Sequence, residues 1–410
     1  MNSAQLVLVE SNTTGTGRLF ASSGRALGLR PVLLAADPSR YPYVIEDGLE
    51  CITVDTSDPA DVHAVCVGLD KQAPIAAVLS SSEYFVAAAA RLAAEFGLPG
   101  PAPEAIERCR DKTAQLKALD GAVAVPRYAE CATAEAAETA AKELGGDVVV
   151  KPCLGSGSEG VRACADPREA ADWAATLLAK RHNERGAPIE PRVLVQERVD
   201  GPEYSVELLD GEVVGITAKH LGRPPFFVET GHDFPAALPP DRDAAIAASA
   251  RAAVAALDLL TGPAHVELRY GADGPVLIEV NPRLAGGMIP QLVKLATGFD
   301  LITAVVAGAS GAPARPEDLA GHHAAIRFLV LDRDGTITAV DGVDNAWETP
   351  GVVEVAMIAR PGEDRARHHS FRDRLGYVIA IGETTADAAT AAEAGRDAVR
   401  VALAETGETP

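Results

Sequence analysis

The chain has 410 residues, 47% of them hydrophobic and 23% charged, which is too long for one ordinary core and fits a soluble protein of two or three domains. Its 58 acidic residues against 37 basic ones give a formal charge of −21, which excludes a nucleic-acid backbone as the partner. The start has no basic segment followed by a long apolar run, no later stretch keeps about 18 apolar residues together, and the six cysteines form no metal-binding pair, so a cytoplasmic protein with reduced thiols and no membrane span is expected.

Residues 5–10, QLVLVE, read as a buried strand that runs into SNTTGTG and a helix over 18–27. Strands at 31–35, 50–54 and 75–79 alternate with helices near 58–70 and 84–96. That alternation predicts an open, mostly parallel α/β sheet, with ligand sites at the strand ends. Gly15-Thr16-Gly17 lacks the spaced glycines of a dinucleotide fingerprint. Glu83 follows three serines, and either receives an amino group or opens a helix as its N-terminal acid.

Prolines at 99, 101 and 103 mark a break, and 104–120 reads as one helix carrying Lys112. Residues 148–150 read as a strand ending in Lys151-Pro152, followed by Gly155, Ser156, Gly157, Ser158 and Gly160. Small residues let backbone amides approach phosphate oxygens, and Lys151 adds a positive charge beside them. The alternative is a glycine-rich surface turn. Residues 192–201 suggest an edge strand running into a linker, and 203–218 a hairpin turning at Asp210-Gly211 with Glu203 on its polar face. Residues 219–235 read as an irregular loop carrying His220 and His232, each equally at home as a surface histidine. A helix over 241–258 follows.

Residues 265–283, HVELRYGADGPVLIEVNPR, read as two short strands and a turn. Glu279, Asn281 and Arg283 lie two apart and share a face of a continuous strand. If the hairpin forms, Glu267 comes alongside, and two carboxylates, a carboxamide and a guanidinium converge. Such oxygen ligands suit Mg²⁺ bridging phosphates; an acidic surface hairpin is the alternative. Beyond a polar, proline-bearing stretch at 312–320, strands are expected near 323–331, 335–339, 351–358 and 376–382, with Asp332-Arg-Asp-Gly335 as a hairpin turn.

The ordered set of motifs resembles the ATP-grasp superfamily and, within it, bacterial L-amino-acid ligases, which are carboxylate–amine ligases. The resemblance rests on DK at 111–112, VVVKP at 148–152, GSGSEG at 155–160, VQERVDGPEYSVE at 195–207, HVELR with LIEVNPR, GHDFPA, AAIRFL and GYVIAIG. It implies a multidomain α/β and α+β fold: an N-terminal parallel-sheet domain over 1–115, a small subdomain with the phosphate loop over 116–205, a large catalytic subdomain over 206–312 and a closing subdomain over 313–410. It implies ATP contacts from Lys112, Lys151, Ser156, Gly157, Ser158, Glu197, Val199 and Glu203. Metal and phosphate ligands fall on Glu267, Glu279 and Asn281, for Mg²⁺ with Mn²⁺ as a substitute. Arg283 would steady the transferred phosphate and the acyl group, together with Lys151, and Glu83 and His232 would face substrate.

The reaction implied is ADP-forming: a carboxylate takes the γ-phosphate of ATP, and an amine or second amino acid then displaces phosphate. The partners are small amino acids and amines, and the resemblance makes a homodimer an open option. Two other readings stay open: a biotin carboxylase-like enzyme activating bicarbonate with a separate carrier, and an ATP-binding regulator without turnover.

Overall fold

The computed structural model describes residues 3–12, 16–155, 157–183, 186, 188–312 and 321–404. Strands β1 (Gln5–Val9), β2 (Arg30–Ala35), β3 (Glu50–Thr53) and β4 (Ile75–Leu79) form a parallel sheet in the order β3-β2-β1-β4. All five residues of β1 are buried, as expected of a strand covered on both faces. The chain crosses from β3 past β1 to reach β4, so the crevice between β1 and β4 is the switch point of the sheet. There the Asn12 amide donates to Ser81 Oγ at 3.1 Å and the Asn12 side chain caps Gly17 N. A Cβ at Gly17 would lie 1.7 Å from Ser11 Oγ, which explains the glycine. Gly15 and the turn around it lie outside the described residues.

The segment expected as one helix over 104–120 is two helices, Pro103–Arg110 and Lys112–Leu119. Asp111 between them is extended, and its carboxylate accepts from the Thr113 and Ala114 amides at 2.9 and 3.0 Å. A new N-cap thus overrides a continuous helical composition. Strands β5 (Tyr128–Cys131), β6 (Val148–Pro152), β7 (Arg162–Cys164) and β8 (Val193–Glu197) form an antiparallel sheet in the order β5-β8-β6-β7. Its core includes alanines of helices Ala134–Glu143 and Pro167–Leu178. β8 is interior, not the edge strand expected, because Val193, Leu194 and Val195 are all buried.

The third sheet has eight strands: β9 (Glu203–Leu209), β10 (Glu212–Leu221), β11 (Glu229–Phe234), β12 (Pro263–Gly271), β13 (Gly274–Asn281), β14 (His323–Val330), β16 (Val352–Met357) and β18 (Arg374–Gly382). Their order is β13-β12-β9-β10-β11-β14-β18-β16, antiparallel throughout. The stretch expected as an irregular loop over 219–235 is largely the paired ends of β10 and β11. β9 spans the boundary drawn between 205 and 206, and the C-terminal strands continue the sheet that β9 to β13 begin.

Strands β15 (Gly335–Asp341), β17 (Asp364–Arg365) and β19 (Arg400–Ala404) form a small separate sheet. Asp332–Gly335 is therefore no hairpin turn, since β14 and β15 join different sheets. One apolar core runs from Leu6 and Phe20 through Leu292 and Val306 to Ile326 and Ile379, tying the N-terminal sheet to the C-terminal strands. Among the described residues no single helix is long and apolar enough to cross a membrane.

Candidate active site

β13 is the edge of the eight-stranded sheet, and it pairs with β12 so that Glu267 lies opposite Glu279 and His265 opposite Asn281. Glu267, Glu279 and Asn281 thus come together on the paired strands, while Arg283, expected on the same strand face, lies in a bend beyond the end of β13 and lines the cleft from there. Lys112 and Lys151 reach the same place from two other elements, and both are buried. Lys112 Nζ donates to the Gly155 carbonyl at 2.8 Å and lies 3.2 Å from Glu279. Burial pushes the Lys151 amine down to about 8, against the pull of Glu279.

The break at Asp111 is what aims Lys112. Its amide bonds the Cys153 carbonyl at 3.0 Å, so the helix start is fixed to the strand that carries Lys151. Gln115, one turn on, donates to the Cys109 and Val280 carbonyls at 2.7 Å and accepts from Val280 N, stapling the helix to β13. Arg192 holds the other oxygen of Asp111 at 2.8 Å. Asp111→Ala is expected to cost about 1–2 kcal/mol through the lost cap and to raise KM for nucleotide; urea unfolding and an ATP titration check both.

The glycine-rich loop is a hairpin connection between β6 and β7. Gly157 has φ +67 and Ser158 φ +60. A Cβ at Gly157 would meet the Phe371 ring at 2.4 Å, so only glycine lets the C-terminal segment pack on the loop. Ser156 lies outside the described residues. The cleft beneath the loop measures about 110 Å³ and is lined by Lys112, Lys151, Gly157, Ser158, Glu197, Val199, Glu203, Glu267, Glu279 and Asn281, among others. Small-molecule sites hold roughly 300–1,000 Å³, so the cleft as it stands is smaller than a typical small-molecule site. At the end of β8 the Glu197 carboxylate pairs with Arg127 at 2.6 Å, and just beyond it the Val199 carbonyl accepts from Arg269 at 2.7 Å.

Lys219 on β10 was not singled out in the sequence. Its side chain is 2% exposed, and its Nζ lies 3.2 Å from Glu203, 2.8 Å from Glu229 and 3.0 Å from Glu267. Burial opposes the charge, yet these carboxylates hold the amine well above its ordinary range. His265 bridges Glu207 at 2.8 Å and Glu267 at 3.0 Å. Burial works against its charge too, and the two carboxylates outweigh it, raising His265 to about 9. Burial favours a neutral Glu267, but Lys219 and His265 keep its carboxyl well below the usual range. The signal available was period two: Lys219 sits in an apolar strand run, opposite Glu203.

A second cavity, of about 870 Å³, opens from this cleft toward the switch point of the N-terminal sheet and the C-terminal strand β18. Glu83 lies there and pairs with Arg283, with Arg110 at 3.9 Å. Burial raises the Glu83 carboxyl, but the two guanidiniums win and leave it ionised at neutral pH. His232 corrects an expectation. It is fully buried and lines neither cavity. It sits 3.5 Å from Glu229, edge-on to Phe328, beneath Gly287, where a Cβ would fall 2.6 Å from its Nε2. Its place is behind Glu229, because the backbone of the glycine turn after Arg283 closes over it.

Gly157, Glu159, Glu229, Glu267 and Arg283 line both cavities, so the cleft and the chamber meet at Arg283. Among the described residues no group of three or more His, Cys, Asp or Glu is arranged to hold a metal. Two facing carboxylates and a carboxamide still fit a hard cation that arrives with phosphate oxygens to complete its shell.

Residues 22–100 match the ATP-grasp N-terminal domain, 144–291 the ATP-grasp domain and 327–404 the L-amino acid ligase C-terminal domain 2. Protein y4rH of Sinorhizobium fredii is 40% identical over 386 residues, 94% of this chain and 80% of its own length. Alanine–anticapsin ligase of Bacillus subtilis is 28% identical over 55% of this chain and 52% of its own. The crystal structure of an L-amino acid ligase from Bacillus licheniformis superposes with a TM-score of 0.82 at 22% identity, covering 99% of this chain and 100% of that one. At that identity the likeness is one of fold.

Proposed function

The chain belongs to the ATP-grasp superfamily, and from that premise we propose that it is an ADP-forming carboxylate–amine ligase that joins an amino acid to an amine or a second amino acid. The observation that carries this reading is the meeting of the two cavities at Arg283. One side offers two buried lysines to phosphates, and the other offers room for two organic substrates.

Lys112 and Lys151 hold the phosphates of ATP, and the loop with Gly157 and Ser158 covers them. Glu197 at the end of β8, Val199 beyond it and the acid Glu203 take the nucleoside end. Arg283 receives the substrate carboxylate and aligns it with the γ-phosphate. The carboxylate oxygen bonds to phosphorus, the bond to ADP breaks, and an acyl phosphate forms. Lys151 and Arg283 offset the negative charge that develops on the transferred group. A free amine then attacks the acyl carbon, its nitrogen gives up a proton to solvent or to the departing phosphate, and phosphate leaves with the bonding pair. Closure of the loop keeps water from the acyl phosphate. A divalent cation brought in with ATP would be held by Glu267, Glu279 and Asn281, and would neutralise phosphate charge. Lys219 and His265 keep Glu267 ionised for that task. Glu83, fixed by Arg283 and Arg110, lies on the chamber side, where it suits a substrate ammonium group.

The test is nucleotide and phosphate analysis with a matrix of amino acids and amines. Equal amounts of ADP, phosphate and amide are expected. AMP formation, or ADP release that needs bicarbonate, would overturn the reading, and so would tight ATP binding with no turnover on any substrate pair.

A further inference from the structure

The glycine-rich loop joins two strands of the four-stranded sheet, whereas Glu267, Glu279 and Asn281 stand on the eight-stranded one. Among the described residues the two sheets share no strand. Holding the loop over the carboxylates therefore falls to side chains and turns.

The turn that leads into β18, residues 368–373, makes that link. Ser370 and Asp373 are buried in it. The Asp373 carboxylate accepts from the His368 amide at 2.7 Å, and Ser370 Oγ accepts from the Arg372 amide at 3.3 Å. The Asp373 carbonyl accepts from the Leu331 amide at 2.8 Å, which fixes the turn to the end of β14. Arg374, the first residue of β18, bonds Glu229 at 2.6 Å. The turn is thus a firmly held projection of the eight-stranded sheet.

Phe371 carries the contact to the loop. Its ring fills the space that a side chain at Gly157 would need, and its amide donates to the Gly157 carbonyl at 3.5 Å. Arg372 lies 4.0 Å from Glu159. Two residues before Phe371, the His369 ring stacks on Phe226 with centroids 3.8 Å and planes 9° apart. Phe226 meets Trp173 edge-on, and the Trp173 indole donates to the Gly160 carbonyl at 2.9 Å. The loop is therefore gripped at two points from one turn: at Gly157 by Phe371, and at Gly160 through an aromatic stack that starts at His369.

Phe371 lines the chamber, and the loop residues Gly157 and Glu159 line both chamber and cleft. The ring stands where the loop borders the two cavities. An apolar ring has no proton to give and no charge to offer, so what it can supply there is placement of the loop and exclusion of water.

We propose that Phe371 is a positioning residue that clasps the glycine-rich loop over the transferred phosphate and keeps water from the acyl phosphate until the amine attacks. This deepens the ligase reading above and rests on it. Without the ring, water attacks the acyl carbon, loses a proton and expels phosphate. The free carboxylate returns, and ATP is spent with no amide formed.

Hydroxylamine in place of the amine first traps the acyl phosphate of the wild type as a hydroxamate. If no carboxylate gives hydroxamate with ADP, the ligase reading falls and this proposal with it. If hydroxamate forms, amide and ADP are measured together with a productive substrate pair. The wild type should give equal amounts, and Phe371→Ala about half as much amide as ADP or less, as water takes the remainder. That ratio does not depend on how much of the variant is folded, so a loss of stability alone cannot move it. Phe371→Leu keeps apolar bulk and should lie between the two; its ratio decides the matter if the alanine variant does not fold. Equal amide and ADP in these variants would overturn the assignment and leave the ligase reading standing.

The clasp also predicts a rate. Release of a fluorescent ADP analogue, followed by stopped flow, is expected to be about tenfold faster in Phe371→Ala, because lost packing contacts show mainly in the off-rate. An unchanged release rate would also overturn the assignment.

Discussion

Glu279→Gln lowers ADP release by about 10²–10³-fold at saturating ATP and raises the Mg²⁺ concentration needed for half the maximal rate. Glu279 lies on the edge strand directly opposite Glu267, and both line the nucleotide cleft. Glutamine keeps the volume and one acceptor oxygen, so the strand pairing survives. What is lost is one of the two charges proposed to face the phosphates. Lys112 also loses its ion pair at 3.2 Å but keeps the Gly155 carbonyl at 2.8 Å, so the variant is expected to stay folded. Steady-state ADP assays across a Mg²⁺ series, with circular dichroism as the folding control, check this. Unchanged turnover with unchanged metal dependence would remove Glu279 from the site.

Lys219→Met has the largest expected effect on stability. The substitution leaves Glu203, Glu229 and Glu267 facing one another around a vanished cation. Removing one partner from a buried ion pair costs about 3–5 kcal/mol, and the urea midpoint should fall accordingly at pH 7. The pH dependence follows from the folded carboxyl groups. In the wild type Glu229 and Glu267 are both held well below their ordinary range, so their stabilisation is present above about 4.5 and fades as the pH drops below it. Without Lys219, burial favours their neutral forms. The deficit of the variant should therefore shrink between pH 7 and about 5, as protons replace the missing cation. A deficit that is constant across that range would mean the three carboxylates do not depend on Lys219.

The sequence showed the local half of this site and concealed the rest. Glu279 and Asn281 were legible because period two puts them on one face of β13, and Glu267 followed from a turn of the right composition, whereas Arg283 lies in a bend past the end of that strand and reaches the cleft from there. Lys151 was legible because a lysine that directly ends an apolar strand requires a partner. Lys219 and Arg374 were hidden. The bond between Arg374 and Glu229 spans 145 residues, and only the sheet order β10-β11-β14-β18 brings the two together. Asp111 misled because a good N-cap within a helical composition gives little warning of a break. His232 misled for a related reason: its neighbours in sequence look like a site loop, but a backbone turn more than fifty residues on lies over it. The parallel sheet was legible from strand–helix alternation. The joining of C-terminal strands to the central sheet was not, since no local pattern names a strand's distant neighbour.

The central proposed step is transfer of the γ-phosphate to a carboxylate. It is tested most directly by running the reaction with a substrate whose carboxyl oxygens are ¹⁸O and weighing the phosphate released. ADP is expected together with phosphate that carries one ¹⁸O, the oxygen that bridged carbon and phosphorus. Unlabelled phosphate formed alongside the amide, or label recovered in AMP, would contradict it.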